Sequence, residues 1–291
     1  MKHPFGGNWT REKLEKVRAG LQTYVTALKN KSFRLLYVDA FAGTGYVSPK
    51  ENSAEGPVFP GFEDDETKDF ISGSAANALE VTPPFDEYFF VEKTNSRLSE
   101  LEKLKTQYPV LEARTKIIPG DANEFLQKFC IGDWKSRRAV IFLDPYGMQV
   151  KWKTLEAIAS TQAIDLWILF PLGVAVNRLL RKDGNVSKNA QIILDELFGS
   201  HDWFDEFFKP NDNPSLFDLE PGLTKVANFD SIADYFNFRL STIFAGVAES
   251  PRKLYNSRNN PLYLLCFAMG NPSPKAKELG LRFANHILKM R

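Results

Sequence analysis

Four carboxylates stand at or just beyond the C-terminal ends of short apolar runs: Asp39 closes LLYV, Glu92 closes YFFV, Asp121 follows KIIPG and Asp144 closes AVIFL. Each alone reads equally well as a helix N-cap or a turn residue. Four in succession point to a site, because the strand ends of an open parallel sheet face one crevice and ligands bind there. Ionised carboxylates only accept hydrogen bonds, so the chemistry on offer is capture of cations and of N–H or O–H donors.

After Asp39 the chain reads Ala40-Phe41-Ala42-Gly43-Thr44-Gly45, a turn whose glycines let the backbone approach a ligand closely. An acid just before such glycines repels a pyrophosphate, so a nicotinamide dinucleotide is the least favoured ligand. A cationic nucleoside without phosphates fits better. S-adenosylmethionine is one: its positive charges suit Asp39, and its two ribose hydroxyls suit the next tip acid, Glu92.

The fourth tip reads Asp144-Pro145-Tyr146-Gly147. An acid so placed can accept from an N–H donor, and a tyrosine ring beside it can stack on a planar partner. The same four residues also suit a type I turn without chemistry. Methylation of a cytosine carbon would need a nucleophilic cysteine in this loop, and neither Cys130 nor Cys266 is there.

To bring these tips together the chain must supply parallel strands. From Thr10, a plausible N-cap, Leu14, Val17, Leu21, Tyr24 and Leu28 recur at helical steps, which predicts a helix over 10–30. Apolar runs at 35–38, 88–91, 116–119, 139–143 and 165–170 alternate with helical stretches and predict a mostly parallel sheet with helices on both faces. Helices are expected over 187–198, stopped by Gly199, and over 230–244. Leu254 and Tyr255, then Leu262 to Phe267 across the turn-rich 256–261, read as a closing hairpin. The expectation is one α/β domain over 1–291, with an acidic insertion at 46–72 that reads as a lid and a helical and loop insertion at 185–246. The segment 195–220 holds eight acids and one base, which reads as a solvated loop that repels phosphate.

Thirty-seven Lys and Arg against 36 Asp and Glu leave a net charge of +1, so any nucleic-acid surface must be local. Arg178, Arg181 and Lys182 follow the fifth strand, and with Arg252, Lys253 and Arg258 they form a group that could track a phosphate backbone. Solvated helix faces account for them equally well. Two cysteines and three scattered histidines give neither a metal spacing nor a disulfide framework, which fits a reducing cytoplasm. No apolar stretch reaches the length of a membrane span.

The segment Asp-x-Phe-Ala-Gly-Thr-Gly, followed by an acid at strand two, resembles motif I and its successor in class I S-adenosylmethionine-dependent methyltransferases. LLYVDAFAGTG, FFVEK, IFLDPYGM followed by Trp152, and NNPLYLLCFAMGNP further resemble the three-Cys-motif partner protein family (TcmP), bacterial proteins on a methyltransferase-like scaffold. The resemblance implies a Rossmann-like class I methyltransferase fold, with Asp39, Phe41, Gly43 and Gly45 holding the methionine end of the cofactor, Glu92 the ribose, and Asp121 with Ala122 the adenine. It also implies a possible three-cysteine protein partner. Asp144, Pro145 and Tyr146 are similar to the acceptor motif of amine-directed methyltransferases, and the Asp-Pro-aromatic-Gly form lies closest to tRNA guanine-amine enzymes; the second proline of the commoner motif is lacking. The expected function is methyl transfer to an exocyclic amine of a nucleic-acid base. The alternative is an inactive methyltransferase-like module that works with a protein partner.

Overall fold

In the computed structural model, described over residues 8–42, 73–211 and 222–290, the predicted strands form one twisted sheet. The helix α1 (Asn8–Leu28) precedes β1 (Arg34–Asp39); α2 (73–79) leads to β2 (Glu87–Glu92); α3 (Asn95–Thr106) to β3 (Thr115–Pro119); α4 (Ala122–Cys130) to β4 (Arg137–Leu143); and α5 (Trp152–Ser160) to β5 (Ile164–Phe170). Beyond β5 come the short α6 (Asn177–Leu179) and, later in the chain, β8 (Gly246–Val247), β9 (Arg252–Tyr255) and β10 (Pro261–Met269); the strand order is β3-β2-β1-β4-β5-β10-β8, with β9 also on β10. Strands β1 to β5 run parallel; β10 is antiparallel to β5 and to β9, which is the expected closing hairpin. The chain builds outward from β1 through β2 to β3, then returns to lay β4 on the other side of β1. That reversal is the topological switch point, and it lies between Asp39 and Asp144.

Side chains alternate across the strands. Leu36 and Val38 join a core with Ile141, Leu155, Leu194 and Phe236, under α4, α5, α7 (Lys188–Phe198) and α9 (Phe229–Ser241). Leu35 and Tyr37 join the opposite core with Val17, Leu21, Phe90 and Phe142, under α1, α2, α3 and α10 (Pro274–Lys289). Asp39 pairs with Phe142 in the β1–β4 register. By parity Asp39 and Asp144 therefore lie on the α1 side, as does Glu92, two residues beyond Phe90.

Several boundaries move. Helix α1 begins at Asn8, so Trp9 is helical and stacks on Tyr263, with ring centroids 5.0 Å apart. The helix drawn over 230–244 runs Phe229–Ser241, because the Asn228 side chain caps it and Ser231 returns the bond. Gly199, in the left-handed region at φ 73, ends α7 as expected. The acidic segment is not simply solvated: it contains α8 (Trp203–Phe207) and β6 (Phe208–Pro210), which pairs with β7 (Leu223–Lys225), and Trp203, Phe207 and Phe208 are buried. Asp202, Asp205 and Glu206 are exposed, while the aromatics at i and i+4, Trp203 and Phe207, join the core. Gly43, Gly45, the insertion 46–72 and residues 212–221 lie outside the described residues. No helix among the described residues is long and apolar enough to cross a membrane, and no group of His, Cys, Asp and Glu there could hold a metal ion.

Candidate cofactor and acceptor site

Asp39 is buried at 1% exposure, and neither of its carboxylate oxygens has a hydrogen-bond partner among the described residues. Burial first, then the nearby charge of Asp144, pushes its carboxyl up to about 7. The Ser74 hydroxyl, the Phe41 amide and Lys13 pull weakly the other way, the first two without reaching hydrogen-bond geometry. Beneath it the Tyr37 hydroxyl is also buried without a partner among the described residues. Orphaned buried acceptors are costly, so at the switch point these are candidates to receive a ligand's donors.

Asp144 is also buried, and its Oδ2 accepts from Lys13 Nζ at 2.6 Å. Lys13 comes from α1 and is 0% exposed; desolvation lowers its ammonium below the usual lysine range against the opposing pull of Asp144 and Asp39. Burial raises Asp144 and Lys13 offsets part of the rise. The Lys13 Nζ also lies 5.4 Å from the centre of the Trp9 ring, so one helical turn supplies both a cation and its aromatic cover. Nothing in the local sequence announces this pair, which joins residues 131 positions apart. The available signal is that Lys13 occupies the apolar stripe of α1, four residues before buried Val17.

The other predicted cofactor residues take up distinct local tasks. Glu92 is buried, and its Oε1 accepts from the Thr94 amide at 2.6 Å. Asp121 caps α4, its Oδ1 accepting from the Asn123 and Glu124 amides, so it serves as the helix N-cap that the sequence also allowed. Ala122 begins that helix and packs in the core, and Phe41 packs against the same cluster, half-buried.

Pro145 is buried, Tyr146 half-buried, and Gly147 adopts φ 69. Reasoning from sequence missed Asn123. Its amide donates to the Gln149 carbonyl at 2.9 Å, and its Oδ1 accepts from the Lys151 amide at 3.0 Å and the Thr154 hydroxyl at 2.9 Å. These bonds tie the loop after Asp144 to the start of α4.

Among the described residues, Arg252 pairs with Glu12 at 2.5 Å, Lys253 with Asp230, and Arg181 with Asp183 at 3.4 Å, so these predicted phosphate-tracking cations are engaged with acids. Arg178, Lys182 and Arg258 are exposed. The cysteines are no nucleophiles: burial pushes Cys130 up to about 12 and Cys266 higher still.

No family model matches the chain, and no curated protein matches it. Solved structures it resembles include a spermidine synthase in complex with the transition-state analogue AdoDATO, at 10% identity and a TM-score of 0.41, covering 93% of this chain and 64% of that one. The spermidine synthase from Thermotoga maritima gives 10% identity and 0.41, covering 92% of this chain and 62% of that one. A provisionally named methyltransferase complexed with SAH, SMU.472, gives 9% and 0.30, covering 90% and 55%. The chain thus spans less than two thirds of the length of each of these three.

Proposed function

We propose that this chain is an S-adenosylmethionine-dependent methyltransferase acting on an exocyclic amine of a nucleic-acid base. The observation that carries the reading is Asp39: a buried carboxylate whose two oxygens have no partner among the described residues, beside Asp144 at the switch point of a parallel sheet. The residues fit the cofactor. Asp39 would hold its cationic end, Glu92 its ribose hydroxyls, and the start of α4 at Asp121 and Ala122 its base. When bound, the cofactor supplies an electrophilic methyl group. Asp144 would accept from the acceptor's N–H and fix its lone pair toward that methyl, with Tyr146 stacking on the base. Exposed Arg178, Lys182 and Arg258 would meet phosphates.

The motifs shared with the three-Cys-motif partner family support a second reading, a scaffold that binds the cofactor and docks a protein partner. Occupation of Asp144 by Lys13 favours it. Calorimetric titration with S-adenosylmethionine and transfer of its labelled methyl to bulk tRNA, rRNA or DNA separate the two. Methyl transfer that disappears in Asp144→Ala, with cofactor binding lost in Asp39→Ala, supports the enzyme. Equal cofactor affinity in Asp39→Ala removes the site assignment; binding without transfer to any nucleic acid selects the docking scaffold.

A further inference from the structure

The pair Lys13–Asp144 does more than anchor α1. That helix is already held by Val17, Leu21 and Val25, each at most 3% exposed, by Lys16 Nζ on the Met290 carbonyl at 2.6 Å, and by Glu12 on Arg252. A buried ion pair adds little net stability, because desolvation consumes most of the Coulomb gain. This one lies against Asp39, whose oxygens have no partner among the described residues, at the strand ends of the proposed site.

Which donor such a crest admits is decided at Asp144 itself. Its Oδ2 already holds the Lys13 ammonium at 2.6 Å. A second ammonium on the same carboxylate would stand close to the first in a desolvated place, where like charges repel strongly. An uncharged N–H donor meets no such repulsion. Without the Lys13 ammonium, Asp144 is a buried carboxylate whose counter-charge a protonated amine could supply.

Resting on the methyltransferase reading, we infer that Lys13 is the specificity-determining residue of the acceptor site: by occupying Asp144 it excludes cationic amines, such as polyamines or lysine side chains, and admits an uncharged nitrogen such as the exocyclic amine of a nucleobase.

The test uses the full chain saturated with S-adenosylhomocysteine and titrated with putrescine. Wild type should show no binding of putrescine. Lys13→Met, which keeps the length of the side chain and deletes the charge, should bind it at least about tenfold more tightly. Lys13→Arg, which keeps the charge, should continue to exclude it. Unchanged putrescine affinity in a Lys13→Met protein that still binds S-adenosylhomocysteine overturns the inference and leaves the methyltransferase reading standing. Should that variant fail to fold, wild type decides alone: binding of putrescine, or transfer of labelled methyl to putrescine or spermidine, overturns the inference, whereas exclusion of both amines with transfer to nucleic acid supports it. Failure of wild type to bind S-adenosylhomocysteine removes the parent reading and the inference together.

Discussion

The Asn123 side chain and the Thr154 hydroxyl, on two different helices, meet at 2.9 Å beneath the loop that carries the predicted acceptor motif. The same oxygen of Asn123 takes the Lys151 amide, so one buried side chain sets where the chain re-enters the core after Asp144. Asn123→Ala leaves the Lys151 amide and the Thr154 hydroxyl without this acceptor. The expected cost is about 1–3 kcal/mol in chemical unfolding. Cofactor affinity should change little, while methyl transfer falls further, because the loop and not the first strand has been loosened. Equal losses in both would show that the loop does not act separately.

On the proposed reading, Asp39 should make cofactor binding depend on pH. Its carboxyl titrates at about 7, raised by burial and by Asp144, and a cationic ligand prefers the ionised form. Affinity for S-adenosylmethionine should therefore rise with pH and level off above about 7, with about tenfold weaker binding at pH 6 than at pH 8. Titration calorimetry at several pH values reads the slope. Asp39→Asn should bind weakly and almost independently of pH; a slope that survives in this variant assigns it to another group.

The sheet was legible in the sequence because β1, β4 and β5 are buried on both faces, so their residues form largely apolar runs, which in β1 and β4 end at a polar tip. What the tips do was only half legible. Asp121 caps a helix and Asp39 has no partner among the described residues, although both looked alike as acids after apolar runs. Lys13 was hidden because its place in the apolar stripe of α1 names no partner, which only the fold brings in. The buried Trp203 and Phe207 were obscured for the reverse reason: charge dominates the composition of their segment, while a single aromatic stripe decides its burial.

Asp165 shows that a displaced carboxyl need not mark a site. It lies at the opposite end of β5 from the crevice, accepts from the Gly270 amide at 3.2 Å, and is pushed up to about 7 by burial. A carboxyl raised in the folded state stabilises the fold fully below its unfolded value near 4, and that contribution is lost as pH climbs through 7. Asp165→Asn keeps the acceptor and removes the buried charge. It should be more stable than wild type at pH 8, by on the order of 1–3 kcal/mol, and little different near pH 4. Asp39 titrates in the same window, so the difference between the two proteins, measured by urea unfolding at each pH, isolates Asp165.

Gly20 tests whether the seat of α1 governs the site. A Cβ at this position would meet the Trp167 indole at 2.5 Å, well inside contact distance, so helix and sheet approach as closely as they do only because the side chain is absent. Alanine is the better helix former by about 1 kcal/mol, which works against the clash. Trp167 is itself buried on β5 against Phe267, ring centroids 4.9 Å apart, and has little room to yield, so overpacking should prevail. Gly20→Ala is expected to lose about 1–2 kcal/mol net in urea unfolding. Because Lys13 lies two turns earlier on the same helix, the displaced α1 should also carry its ammonium away from Asp144. A crystal structure of the variant would show that separation directly. A variant as stable as wild type, with the Lys13–Asp144 distance still near 2.6 Å, would mean that Trp167 yields and the helix stays where it is.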